Sequence, residues 1–436
     1  MTMPKGAPIE RYMTSELAEL WFTQGGVGKF DFIHQVEIAL AQVHAELGRI
    51  PQEATEAIAA STFDPEEIIR RGGHDVNAYL DITRDTIPPE HRGALHLGAT
   101  SFDVQDTGVV LMLIKSAEII LLDLSTLQDD LRQLARQHKD TLMVGRTHGV
   151  HAKPITFAFK VCNWMGFIER AGKRLSDVRQ EIAFGKMSGA VGMYTSPPEV
   201  EERLCEKLGL RPAPVTTQIL PRDLHADFFH AITCVAAACE YIATDIRNHQ
   251  RTDIYEMAEP FPKGMKGSTA MPHKRNPEKC EQICGLARVV RNDMGAIIEN
   301  ITTWHERSLE QSSAERLLHA EMILLTGYIV RSLQGIISGL EVHSARMWKN
   351  LEMTHGAIYS EAAKILLLGK GLDPEVVYRA VQASAIRAFD GDGDLKTNLL
   401  ADSDVGRFLT EGELDKIMDP WKEVQYRQAI YDRFGL

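Results

Sequence analysis

The sequence predicts an all-α protein built around a central bundle of long helices. Apolar residues recur at three- and four-residue steps over unusually long stretches, and alternating β-branched runs are scarce. Glycine and proline breaks gather in shorter segments on either side of those stretches.

From Val110, the apolar positions Leu113, Ile114, Ala117, Ile120, Leu121, Leu124, Leu127, Leu131 and Leu134 mark one helix. It should run for roughly 30 residues, about 45 Å at the helical rise. A second stripe runs through Leu224, Phe228, Ile232, Val235, Cys239, Ile242 and Ile246. Further helices are expected from Glu278 to Ile301 and from Ala314 to Val342, and a fifth from Pro154, placed as a first-turn proline, past Leu175. Three domains follow from this pattern: an N-terminal helical domain over 1–100, the long-helix bundle over 101–348, and a C-terminal helical domain over 349–436 with a break at Gly369–Pro374. So much apolar helix face exceeds what one chain readily covers, which points to self-association in a symmetric oligomer.

The chain has 436 residues, long enough for several domains, and its 44% hydrophobic and 25% charged content is that of a globular protein. A net charge of −12 argues against a general nucleic-acid or membrane-surface binder, so neither is an expected partner. An anionic substrate would need basic residues concentrated locally. None of the six cysteines forms a CxxC pair, and Cys234, Cys239, Cys280 and Cys284 fall within helical patterns as buried thiols. The N-terminus lacks the apolar core of a signal peptide. The apolar stretch from Gly108 to Leu124 is interrupted by Lys115, Glu118 and Asp123, so a cytoplasmic protein is expected.

Several suggestive motifs fail on their chemistry. Gly25 to Phe30 resembles a phosphate loop but lacks its first glycine and has Phe30 where a magnesium-binding hydroxyl belongs. Asp390, Asp392 and Asp394 open like a calcium loop, yet Leu395 replaces the turn glycine and Ala401 the bidentate glutamate. His148 and His151 have no third ligand at a familiar zinc spacing, so no metal is expected.

The segment Lys266-Gly267-Ser268-Thr269-Ala270-Met271-Pro272-His273-Lys274-Arg275-Asn276-Pro277 carries the most chemistry. Gly264 and Gly267 give backbone freedom, and Pro272 and Pro277 block a helix, so it is a loop leading into the helix at Glu278. A solvated basic loop and a mobile lid closing on an anion fit this composition equally well. Gly267 to Pro277 resembles the signature loop of the fumarase/aspartase superfamily, in the variant of its adenylosuccinate lyase and carboxymuconate cycloisomerase branch. Thr269 stands where the family usually has a second serine. Two more segments agree in family order: His96 to Asp103, containing Thr100-Ser101, and Gly145 to Ala152, containing Thr147-His148.

This resemblance implies a cofactor-free carbon–nitrogen lyase, a homotetramer with active sites shared between subunits. It assigns Ser268 as base and His148 as general acid, with Thr100, Ser101 and Thr147 holding substrate. Removing a proton beside a carboxylate creates a dianion that needs positioned donors, and Lys274 and Asn276 match that role. Glu281, one turn into the following helix, is expected to orient the histidine.

The resemblance narrows further to the adenylosuccinate lyase family. Arg11 and Tyr12 match its N-terminal phosphate pair, and Arg307, Ser312 and Arg316 its second phosphate group. Guanidinium forks suit phosphate because they offer several donors in a plane and keep their charge. His74-Asp75 matches the family's His-Asp segment, His74 also counting among the catalytic groups, and Gln218 its amide-bearing contact. Gly73 replaces a frequent arginine, and Pro221 a polar residue. A carboxymuconate cycloisomerase, the alternative within the branch, has no phosphate to bind and leaves these arginines unexplained. A catalytically silent scaffold of the same fold would be expected to have lost some of Ser268, His148, Lys274 and Asn276, all of which are present.

Overall fold

The stripes do fold as long helices. The computed structural model describes residues 8–22, 28–261, 264, 267 and 270–436. Helices α1 (Ser15–Trp21), α2 (Lys29–Glu46), α3 (Gln52–Ala59), α4 (Pro65–Arg71) and α5 (Asp75–Asp85) precede α6 (Ser101–Gln137), which at 37 residues outruns the sequence expectation. A hairpin, β1 (Leu142–Thr147) with β2 (Val150–Thr156), leads into α7 (Phe157–Glu181) and α8 (Pro198–Leu208). Next come α9 (Asp223–His249), α10 (Glu278–Glu299) and α11 (Glu310–Ser338). Shorter helices α12 (Ser344–Glu352), α13 (Ser360–Gly369), α14 (Pro374–Phe389) and α15 (Leu395–Leu400) open the C-terminal region. The protein is all-α, as the sequence predicts.

One boundary differs. Pro154 does not start α7; it lies in β2, paired with Val144. The helix begins at Phe157, and Thr156 caps it by accepting the Phe159 N–H at 3.2 Å. Proline is tolerated in β2 because a two-stranded hairpin leaves one side of each strand without a ladder. The break at Gly369–Pro374 is real: Asp373 caps α14 through its side chain, and Pro374 takes the first helical position.

The chain divides into two units. The first comprises Met1–Thr126, Ile168–Tyr241 and Gln282–Leu333, and the second Leu127–Phe167, Ile242–Glu281 and Gln334–Leu436; α6, α7, α9, α10 and α11 contribute residues to both. In the first unit, α2 packs on α3 and α8, and Phe30, Ile33, Val36, Leu40, Tyr79 and Leu204 share one core. In the second, α12 packs on β1, and Leu142, Val144 and Leu351 join the core of α13–α15. The six cysteines are free, and all but Cys234 are buried. Asp394 caps α15 and Asp392 pairs with Arg387, which accounts for two of the three aspartates as ordinary loop chemistry.

Candidate active site

Each unit carries its own group of the residues singled out by sequence. In the first unit a cavity of about 820 Å³ is lined by Tyr12, Asp75, Ser312 and Arg316, all expected nucleotide ligands, together with Lys29. Asp75 opens α5, whose N-cap is His74: the His74 Nδ1 accepts the Asn77 N–H at 3.4 Å. The Asp75 carboxylate lies 2.8 Å from Lys29 Nζ and 2.7 Å from Arg316. Burial alone would raise its pKa, but those two cations overcome it and hold the carboxyl below its usual value. Arg316 remains half exposed, free to trade this contact for a phosphate.

Arg307 donates to Ser312 Oγ at 3.2 Å and lies 3.6 Å over the Phe102 ring. Its other terminal nitrogen is buried without a hydrogen-bond partner, an unspent donor of the kind an anionic ligand would satisfy. Arg11 is exposed in a short 3₁₀ turn (Pro8–Tyr12), and Tyr12 packs edge-on against Tyr328. Gln218 bonds the Ala190 carbonyl at 3.1 Å through its amide and the Glu306 carbonyl at 3.2 Å through its backbone N–H.

The segment after Gln218 is anchored from below. Arg222, almost fully buried, forks onto Asp106 at 2.8 and 3.0 Å and reaches Glu315 at 2.7 Å. It also donates to the Leu220 carbonyl at 2.9 Å, while the Leu220 N–H donates to Asp106 at 2.8 Å. Burial opposes the Arg222 charge, but the two carboxylates outweigh it and hold its pKa above the ordinary value. Beside them, His225 and His319 are buried without hydrogen-bond partners at His225 Nδ1 and Nε2 and His319 Nε2. Burial and the Arg222 charge bring the His319 pKa down to about 3. Among the described residues, His225, Glu315 and His319 could bring three metal-ligand atoms within 4.8 Å of one another. The Glu315 carboxylate is already engaged by the Arg222 guanidinium at 2.7 Å, and burial and that same charge hold both imidazoles neutral. The cluster is an ion-pair anchor.

Thr100 and Ser101 sit where the chain enters α6. Asp103 accepts the Thr100 N–H at 2.8 Å and pairs with Lys186, both side chains fully buried. Glu37 holds the preceding loop through the His96 N–H at 3.0 Å and its ring at 2.5 Å. The two hydroxyls therefore stand at a fixed helix N-terminus, a favourable place for a carboxylate.

In the second unit, Thr147 and His148 occupy the tip of the β1–β2 hairpin and are exposed. Thr147 pairs with Val150, leaving His148 (φ 55°) and Gly149 (φ 79°) as a two-residue turn. Positive φ at both positions is the type I′ signature that suits the twist of a hairpin. A register shift between Gly145 and Arg146 places a bulge just behind the tip, a device that re-aims side chains.

Ser268 lies outside the described residues, as does Thr269. Around them, Asn276 Nδ2 donates to the Gly267 carbonyl at 3.0 Å, clasping the loop's ends together. A side chain at Gly267 would overlap the Lys274 carbonyl, so only glycine fits there. Lys274 is exposed, and Glu281, half exposed, faces Arg247 at 3.7 Å. Glu259 accepts the Lys279 N–H at the start of α10 at 3.2 Å, and Gln250 holds the Arg275 carbonyl at 3.1 Å.

Residues 18–292 match the model of a family described as lyase, and residues 356–434 that of the adenylosuccinate lyase C-terminus. Adenylosuccinate lyases from Aquifex aeolicus and Synechocystis are each 40% identical to this chain, over 98% of it and 99% and 100% of their own lengths. The chain belongs to the adenylosuccinate lyase family. It is a carbon–nitrogen lyase. A 3-carboxy-cis,cis-muconate lactonizing enzyme from Pseudomonas putida has the same fold, with a TM-score of 0.87 and 29% identity over 98% of this chain and 100% of that one. A fumarate lyase from Mesorhizobium matches with a TM-score of 0.88 at 25% identity, over 97% of this chain and 98% of that one.

Within this adenylosuccinate lyase fold, sequence reasoning missed Lys29 and Arg222 with its two carboxylates. Lys29 belongs to the segment that fails as a phosphate loop, yet it lines the cavity. Arg222 and its carboxylates are 116 and 93 positions apart, a separation with no local signature.

Proposed function

We propose that this chain catalyses β-elimination of fumarate from adenylosuccinate, giving AMP, and from its imidazole carboxamide counterpart SAICAR, giving AICAR. Identity of 40% to adenylosuccinate lyases along essentially the whole chain carries this reading. Two features support it: Lys29 and Arg316 line the cavity, and Arg307, whose Ser312 partner also lines it, keeps an unspent donor of the kind a phosphate would take.

In this mechanism Arg11, Tyr12, Arg307, Ser312 and Arg316 hold the phosphate, and His74, Asp75 and Gln218 the remainder of the nucleotide. Thr100, Ser101 and Thr147 hold the succinyl carboxylates. Ser268 removes the proton beside a carboxylate, and Lys274 and Asn276 stabilise the dianion that forms. His148, oriented by Glu281, protonates the departing nitrogen. No redox change or electron sink enters the reaction.

The division at 1–100, 101–348 and 349–436 belongs to the same reading, as do a cytoplasmic homotetramer and active sites completed by more than one subunit. Exposed apolar side chains on long helices, such as Leu122, Leu317 and Val289, support the assembly. Incubation with adenylosuccinate, followed by ultraviolet absorbance, should show AMP and fumarate. A protein inert toward adenylosuccinate that instead turns over carboxymuconate would give the function to the cycloisomerase alternative, since the Pseudomonas putida enzyme shares this fold.

A further inference from the structure

Behind the tip of the hairpin lies a buried charge cluster to which the elimination assigns no role. Arg146, two residues before His148, directs both terminal nitrogens at Glu256, at 2.9 and 2.8 Å. Glu256 is fully buried, and its carboxylate also accepts Asn350 Nδ2 and meets His249 Nδ1, each at 2.9 Å. The far nitrogen of His249 lies 3.3 Å from Asp245. Asp245 in turn takes Lys160 at 3.0 Å and the Trp164 indole at 2.9 Å. Burial resists ionisation of Glu256, but its donors outweigh that and bring the pKa down to about 2.

Stability alone does not explain such a cluster, because a buried ion pair often gains little over apolar packing. A bidentate pair does fix direction. Direction is what the hairpin lacks: the ladder beyond the bulge is two residue pairs long, Arg146 with His151 and Thr147 with Val150. A bulged strand bends, so those pairs cannot by themselves set where the tip points. The Arg146 side chain is attached on the tip side of that bend. Its partner Glu256 lies seven residues beyond the end of α9, and Asn350 on α12 grips Glu256 and the Ile254 carbonyl together, the latter at 2.8 Å.

We propose that Glu256 is a positioning residue for the general acid, clamping Arg146 so that the tip presents the His148 imidazole in one direction. The proposal rests on the reading of His148 as the acid. Held this way, an exposed side chain on a positive-φ turn gains the order that its own surroundings do not supply.

Glu256→Gln, which keeps the shape, and Arg146→Lys, which keeps the charge, test it beside wild type and His148→Asn. Folding and oligomeric state are checked first by circular dichroism and size-exclusion chromatography. Both clamp variants should show adenylosuccinate KM within about 2-fold of wild type and kcat about 10- to 100-fold lower per folded site, the scale of a small misplacement. A merely structural role would lower the folded fraction and leave kcat per folded site unchanged. Wild-type kcat in either folded variant, or a loss confined to KM, overturns the proposal. Two other results would overturn its basis and are separately visible: an inactive wild type sinks the function, and an active His148→Asn sinks the acid.

Discussion

In the first unit, several residues proposed to hold the nucleotide already have partners within the protein: Arg316 and Lys29 share Asp75, and Arg307 donates to Ser312. In the second unit, the proposed proton carrier His148 and the cation Lys274 are exposed, and their order comes from buried groups such as Glu256, Glu259 and Gln250. Around Asp75, binding would use cations already paired inside the protein, which a ligand can recruit by exchange. Proton transfer uses groups left reachable and braced from behind, as a reacting side chain must be free to meet substrate in one geometry.

The comparison breaks most visibly in turnover. His148→Asn and Ser268→Ala should each lower kcat by about 10²- to 10⁴-fold while substrate still binds, the range for a positioned acid or base. Near-normal turnover in either variant would remove that residue's role. Next in size is the buried anchor of the first unit. Arg222→Met leaves Asp106 and Glu315 buried without their cation and should cost about 3–5 kcal/mol, read by chemical denaturation at fixed protein concentration. A loss below about 1 kcal/mol would mean that the carboxylates find other partners.

Acid should then separate the two units by the pH at which each weakens. His319 has a folded pKa of about 3 against an ordinary 6.5, so the unfolded chain takes up its proton first as pH falls. That contribution is complete above 6.5 and disappears between 6.5 and 3. Glu256, at about 2 against 4.5, contributes fully above 4.5 and loses its contribution as pH falls toward 2. His319→Phe should flatten the fall in stability between pH 6.5 and 4.5, and Glu256→Gln should leave that limb unchanged. Stability curves that respond identically to the two substitutions would contradict this separation.

The smallest effect is expected at the cavity mouth. Arg316→Ala should raise KM for the phosphorylated substrate about 10- to 100-fold, the worth of a charge-assisted hydrogen bond, with kcat nearly preserved. An unchanged KM would count against the phosphate assignment.

What could be read from sequence follows how local its cause is. The apolar steps of α6 and α9 are set by neighbours three and four residues away, so both helices were visible. The hairpin was missed because Pro154 looks like a helix start when the ladder pairing it with Val144 is unseen. A His-Gly pair between Thr147 and Val150 was the available turn signal. The residues proposed to react were legible because they cluster in short segments, whereas Glu256 and Arg146, 110 positions apart, become partners only in the fold.

The bulge behind the hairpin tip carries a consequence for changes in chain length. Ala152 is the residue that skips pairing, between Lys153 opposite Gly145 and His151 opposite Arg146. Deleting it would join Lys153 directly to His151, so that Gly145–Lys153, Arg146–His151 and Thr147–Val150 run on as a regular ladder with the same turn, but the bend behind the tip would be lost. A substitution at Ala152 leaves the count intact. The aim of the tip should therefore survive changes of letter at Ala152 far more readily than the loss of that residue, even though the ladder itself would survive both.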